Sequence, residues 1–179
     1  MVSNLKVDKI QSVAGTTTAM TIASDGKLSF PVSAPLTPTR PYFSVYVYNN
    51  NAGNPGSGGA GTHLVPFDTA IDNIGGHYDT SAYKFTAPVD GIYQFNWNLS
   101  IYDVSSGSWV RQRVYKNYAS YQIYEYKYSQ TTLDQNFSSS FAYKLVASDV
   151  IQFYANSNDA NFIYSAGSTW NHCTGYLVG

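Results

Sequence analysis

Between Tyr93 and Ile101 the chain alternates without a break. Tyr93, Phe95, Trp97, Leu99 and Ile101 are apolar, and Gln94, Asn96, Asn98 and Ser100 between them are polar. Successive side chains of a strand point to opposite faces, whereas a helix groups residues three and four apart. The stretch is therefore a strand with one dry and one wet side, and its dry side demands a second layer to cover it. Ahead of it, Pro88-Val89-Asp90-Gly91 carries turn chemistry, because Pro fixes φ and Asp-Gly accepts positive φ. Tyr83-Lys84-Phe85-Thr86 alternates before that turn. Residues 75–101 thus read as strand, tight turn, long strand, a hairpin around which a sheet is built.

The composition points the same way. The 179 residues include 17 Tyr, 9 Phe and 3 Trp, and charged residues make up 12%, about half the usual share. Aromatic and β-branched residues suit half-buried pleated surfaces, so the expected class is all-β. A net charge of −1 gives no field to recruit nucleic acid. No apolar run approaches the ~18 residues of a membrane span, so no membrane insertion is expected. The start, MVSNLKVDKIQS, lacks the apolar core of a signal peptide. Nothing here indicates classical secretion, and a protein of this kind acting outside a cell is expected to leave by another route, such as lysis. Cys173 is the single cysteine, which excludes an internal disulfide framework and reads as a small buried hydrophobe.

Residues 1–40 differ from the rest, being poor in aromatics and rich in Thr, Ser, Ala and Pro. Met20 and Ile22 precede Asp25-Gly26, and Leu28, Phe30 and Val32 follow. A two-residue loop would split these apolar residues between faces. A three-residue loop, Asp25-Gly26-Lys27, sets Ile22 opposite Phe30 and Met20 opposite Val32, which predicts the longer loop. So small a hairpin is marginal alone. Its apolar residues, with those of the preceding alternating segment (Leu5, Val7, Ile10, Met20, Ile22, Leu28 and Phe30), are candidates for an anchor that docks on something larger. Pro31, Pro35, Pro38 and Pro41 then mark an extended linker. The expected division is a β and linker segment over 1–40 and an aromatic-rich body over 41–179. The body offers strands at 43–48, 109–115, 121–128, 137–146, 150–154, 161–164 and 173–178, and a mobile Gly/Asn/Ser loop at 49–62. About ten short strands separated by turns indicate a sandwich or barrel.

The order of the body's motifs resembles a known family. Val65-Pro66-Phe67-Asp68, then Asn73 and Gly76-His77-Tyr78-Asp79, is similar to an opening Phe…Asn…Gly-x-Tyr block. Lys84-Phe85-Thr86-Ala87-Pro88-Val89-Asp90-Gly91-Ile92-Tyr93-Gln94-Phe95 matches a central run. Val114-Tyr115-Lys116-Asn117, Ser148-Asp149-Val150-Ile151-Gln152-Phe153 and Thr174-Gly175-Tyr176-Leu177 complete five blocks in order. The family is that of the complement C1q globular head, among the tumour necrosis factor-like jelly rolls, and the resemblance covers about 42–179. It implies a ten-stranded jelly-roll sandwich, assembled as a homotrimer, without enzymatic activity, binding ligands on exposed surfaces. Some relatives hold calcium near the trimer axis through loop carboxylates, but no ligand set transfers here residue by residue. No other cofactor is implied. Tyr118 and Ser148 stand where the family pattern has Gly, so two turns are expected to differ, and the collagen Gly-X-Y stalk is lacking.

Residues 4–31 resemble segments that recur in bacteriophage tail and fibre proteins ahead of a variable distal module. Together the two resemblances imply a virion structural protein, a trimeric fibre knob or decoration protein on the virion surface. Residues 1–40 would bind other virion structural proteins, and the C1q-like head would attach to a host cell-surface glycan or protein receptor. The alternative is a free-standing soluble lectin-like or pattern-binding module of cellular origin.

No pair of acids, Gly-x-Ser-x-Gly elbow or metal-ligand spacing marks an enzyme. His63, His77 and His172 read as structural, and His172 and Cys173, adjacent on a strand, point opposite ways. Asp68, Asp72 and Asp79 read as turn residues. The surface candidates lie on two strands. Trp109, Arg111 and Arg113 share one face of the first. Tyr124, Tyr126 and Tyr128 share one face of the second, suited to sugar or to a trimer interface. An inward arginine pair without carboxylates would be costly, so that face is expected to look outward or towards a subunit.

Overall fold

A computed structural model describes residues 9–11, 18–22, 24–25, 28–29, 40–48, 60–131, 133–159, 163–165, 167 and 170–178. The chain forms two compact units, 1–40 and 41–179. In the first, β1 (Lys9–Gln11), β2 (Thr18–Ile22) and β3 (Leu28–Ser29) make an antiparallel sheet in that order. Ile10 lies opposite Met20, and Ile22 opposite Leu28. The expected pairing of Ile22 with Phe30 is therefore displaced by two residues. A shift of two leaves the side-chain alternation unchanged, so the apolar pattern alone could not choose between these registers. Leu5, Val7, Phe30, Val32, the Pro-rich stretch 31–39 and the loop 49–59 lie outside the described residues.

The second unit opens with β4 (Tyr42–Tyr46), β5 (Gly61–Leu64), β6 (Thr69–Ile74) and β7 (Tyr78–Asp79). There follow β8 (Lys84–Thr86), β9 (Gly91–Val104), β10 (Trp109–Lys116) and β11 (Ala119–Tyr128). The last are β12 (Leu133–Leu145), β13 (Val150–Ser157), β14 (Ile163–Tyr164) and β15 (His172–Leu177). Ten of these exceed two residues; β7 and β14 are two-residue pairings. They form two antiparallel sheets, a jelly-roll sandwich. One runs β12-β9-β15-β4-β6 with β14 also on β9; the other runs β11-β10-β13-β8-β7 with β5 also on β13.

β9 behaves as its alternation demands. Tyr93, Phe95, Trp97, Leu99 and Ile101 are each at most 1% exposed, and burial of such side chains contributes on the order of 2 kcal/mol apiece. The expected hairpin, however, is not formed. β8 pairs with β7 and β13, and β9 with β12 and β15, so the Pro88–Gly91 turn carries the chain from one sheet to the other. Ala87 is tied to the β12–β13 turn, its N–H donating to Asp149 O (2.8 Å) and its carbonyl accepting from Ser148 N–H (2.8 Å). Crossing over lets the two dry faces cover each other: the Phe85 ring lies 5.4 Å from that of Tyr93 and 5.7 Å from that of Phe95. Side by side in one sheet, both faces would still have needed a lid.

Two glycine-type turns also come out differently from expectation. Tyr118 has φ +66° and Ser148 φ +74°, so both turns keep the left-handed backbone that Gly would supply without its conformational ease. Gly175, in the closing motif, is required by contact, because a Cβ there would lie 2.3 Å from the Phe43 ring and 2.8 Å from that of Phe95.

Candidate functional surfaces

Along β10, Val110, Gln112 and Val114 are fully buried while Trp109, Arg111, Arg113 and Tyr115 face outward. The Arg111 guanidinium lies 4.2 Å from the centroid of the Trp109 ring and 4.9 Å from that of Tyr126, and these two rings stack at 6.0 Å. Arg113 lies 5.4 Å from the Tyr115 ring, which packs 4.1 Å from Tyr154 on β13. Tyr126 and Tyr128 remain 49% and 54% exposed. Among the described outward residues of β10, β11 and β13 there is no carboxylate. The strip is thus aromatic and cationic, with the Arg111 guanidinium resting against two neighbouring rings on the outer face.

Tyr124 does not belong to that strip. The β10–β11 register slips between Gln112 and Arg113, Gln112 pairing with Glu125 and Arg113 with Ile123. Tyr124 is the extra residue of a β-bulge, which breaks the alternation. Its ring turns to the sandwich side and stacks on Phe141 at 4.3 Å, and its hydroxyl donates to that of Tyr143. Three tyrosines at spacing two therefore do not share one face.

The middle of the other sheet's outer face carries a ladder of uncharged polar groups. Gln94 Nε2 donates to Ser140 Oγ (2.8 Å), Ser140 Oγ to Asn96 Oδ1 (2.8 Å), and Asn96 Nδ2 to Thr174 Oγ1 (3.4 Å). Ser138 Oγ donates to Asn98 Oδ1 (3.1 Å). At one end the ladder gives way to exposed apolar side chains. Tyr176 pairs with Tyr42, which pairs with Ile74, and Val178 N–H donates to Ile92 O (2.7 Å). Ile74, Ile92, Tyr176 and Val178 are all exposed. This patch was not singled out from the sequence, although a signal exists: Ile92-Tyr93 and Tyr176-Leu177-Val178 put apolar residues on both faces at once. Trp170, Asn98 and Asn136 were also missed, a lone Trp among polar residues carrying no periodicity.

The remaining candidates take local roles. Asp79 accepts from the N–H groups of Ala82 (3.0 Å) and Ser81 (2.9 Å), which hold its carboxyl below the usual range. Asp68 Oδ1 accepts from Tyr48 N–H (2.7 Å) and from Thr69 Oγ1 (3.0 Å). His172 shares a 2.8 Å hydrogen bond with Ser44 Oγ, and burial lowers its pKa. Cys173 points the other way into the core, a free thiol pushed up by burial. Among the described residues no three His, Cys, Asp or Glu side chains gather as a metal site would need.

The structure is thus a jelly-roll sandwich with its candidate side chains spread over the outer faces. The model of the C1q domain family matches residues 43–178, and the chain belongs to that family. The mouse collagen alpha-1(X) chain is 30% identical over 115 residues, which is 64% of this chain and 16% of that protein. This chain thus corresponds to a small part of that relative's length. The globular domain of zebrafish complement 1qA protein superposes with a TM-score of 0.55 at 16% identity, covering 78% of this chain and 98% of its own. Murine APRIL at pH 8.5 superposes with a TM-score of 0.57 at 10% identity, covering 78% and 99%. At such identities the likeness is one of fold.

Proposed function

We propose that this protein is a non-enzymatic binding head that works as a trimer on the surface of a bacteriophage particle. Residues 1–40 attach it to other virion proteins, and the head engages a host cell-surface receptor. The observation that carries the binding role is the outward cluster of Trp109, Arg111 and Tyr126, a guanidinium resting against two rings, with no carboxylate among the described outward residues of β10, β11 and β13. A receptor bearing an acidic group, on a glycan or a protein, would find there both a stacking surface and a bidentate donor. The exposed patch of Ile74, Ile92, Tyr176 and Val178 supports self-association, since apolar residues gathered on one sheet face are spared from water by a partner. Three weak sites on one rigid trimer, repeated over a particle, give an avidity that a single site lacks. The particle setting rests on the resemblance of the N-terminal segment to phage fibre segments.

Light scattering on the full chain should give about three times its 19.7 kDa mass. Arg111→Ala should weaken binding of the trimer to host cells by ten-fold or more, since loss at each site multiplies in a multivalent contact. A monomer at micromolar concentration removes the assembly, and undiminished binding by Arg111→Ala removes the site. The mouse and zebrafish relatives favour a second reading, a free-standing pattern-binding module of cellular origin. The two part on one experiment: a particle protein loses incorporation when residues 1–40 are deleted, whereas a free-standing module is not found on particles at all.

A further inference from the structure

Two adjoining hollows lie on the outer face of the β12-β9 pair, of about 450 and 350 Å³, within the size range of small-ligand sites. Asn136 and Trp170 line both. Asn98, Ser138, Glu125 and Lys127, with the apolar Leu99 and Phe137, complete the first; Ser100, Tyr102, Asp134 and Ser165 complete the second. We infer that this double hollow binds an uncharged oligosaccharide, one ring stacked on Trp170 and its hydroxyls held by the amides of Asn98 and Asn136.

The chemistry of the walls selects that ligand. A pyranose offers a C–H face, which packs on an aromatic plane, and hydroxyls that each donate and accept. Side-chain amides are the matching groups, with donors and an acceptor in one plane. Ser138 occupies only Asn98 Oδ1 (3.1 Å), leaving both Nδ2 donors open, and the Asn136 amide makes no side-chain hydrogen bond to another described residue. The charged groups of the first hollow neutralise each other, Lys127 lying 3.2 Å from Glu125 and donating also to Asn136 O. Asp134 in the second hollow accepts hydroxyls and repels an acidic sugar. An acidic ligand is thus disfavoured, in contrast to the arginine strip on the opposite sheet.

The backbone that carries Trp170 is also fastened to its surroundings. Trp170 is 54% exposed, yet its neighbour Asn171 is fully buried. The Asn171 side chain accepts from Ser100 N–H (2.7 Å) and donates to Ser100 O (2.8 Å), fastening the segment to β9. Trp170 N–H donates to Gly167 O (3.2 Å), and Gly167 N–H donates to Val47 O (2.7 Å). An exposed indole on a fastened backbone leaves only the side-chain torsions to be ordered on binding, which lowers the cost of stacking a ring on it.

The test uses the full chain and tryptophan fluorescence with maltohexaose, cellohexaose, laminarihexaose and mannohexaose, and with sialyllactose as the acidic comparison. At least one neutral hexaose should shift the emission saturably below about 10 mM. Trp170→Ala should weaken that binding at least ten-fold by calorimetry, Trp170→Phe should retain most of it, and Asn136→Ala should weaken it several-fold. Arg111→Ala should leave it unchanged, so that failure of this site and failure of the arginine strip are read separately. No response to any neutral hexaose, unaltered binding by Trp170→Ala with an unchanged melting temperature, or preference for sialyllactose would each overturn the assignment.

Discussion

Tyr118→Gly should make the protein more stable. β10 and β11 are joined by a two-residue loop, with Lys116 opposite Ala119. Asn117 and Tyr118 have φ of +50° and +66°, the type I′ geometry whose twist matches the strands and which Asn-Gly satisfies best. A left-handed backbone costs a residue with a Cβ roughly 1–2 kcal/mol. Asn offsets this with local hydrogen bonds, and here its side chain donates to Asp149 Oδ1 and accepts from Val150 N–H, both at 2.8 Å. Tyr118 makes no such bond and is 63% exposed, so removing its ring forfeits little burial. Gly gives back roughly 0.5–1 kcal/mol through the greater freedom of the unfolded chain. The net gain is about 0.5–1 kcal/mol, or roughly 1–4 °C in melting temperature for a chain of this size. Scanning calorimetry, with urea denaturation at constant m-value, reads it directly. Tyr118→Ala keeps the Cβ and should not stabilise. An unchanged or lowered melting temperature for the Gly variant, or an equal rise for the Ala variant, would refute the idea that strain is stored at this Cβ.

Gly175→Ala should act in the opposite sense. Its Cβ meets the rings of Phe43 and Phe95, at a cost of about 1–3 kcal/mol measurable as a lower urea midpoint. Phe85→Ala should cost about 3–5 kcal/mol by the same assay, because its ring fills the space between the sheets; a loss below about 1 kcal/mol would mean that Phe85 does not cap β9. Asp149 works against its burial, but bonds from Lys116, Asn117 and Val146 N–H outweigh it and hold the carboxyl below its usual range. A group with a depressed folded pKa stabilises fully above its unfolded value, near ~4, and loses that contribution as pH falls through the folded one. The stability difference between wild type and Asp149→Asn should therefore be present at pH 7 and shrink below pH 4 in urea titrations; a difference independent of pH would mean the charge contributes nothing.

The parts of the fold legible in the sequence are those set by neighbours along the chain. The alternation over 93–101 named the core side of β9 because strand geometry alone assigns successive residues to opposite faces. Ser100 is the exception, a polar residue on the wet side that is nonetheless buried, since Asn171 closes over it. The turn at Pro88–Gly91 was legible as a turn and misread as a hairpin, because the same turn chemistry serves a connection within a sheet or between sheets. Trp109, Arg111 and Arg113 were placed on one face correctly by strand parity, but the bulge that removes Tyr124 from Tyr126 and Tyr128 leaves no mark in residue spacing.

By itself, then, the sequence determined the all-β class, the family through five ordered blocks, and the dry side of β9, whose alternation no bulge interrupts over 93–101. All of these are statements about residues close in the chain. Tertiary structure alone decided which strand covers which, that Arg111 rests against both Trp109 and Tyr126, and that Trp170 lines one hollow with Asn98 and Asn136. Those depend on inter-strand register, and register is settled by the packing of whole faces against one another, an energy that no local stretch of chain contains.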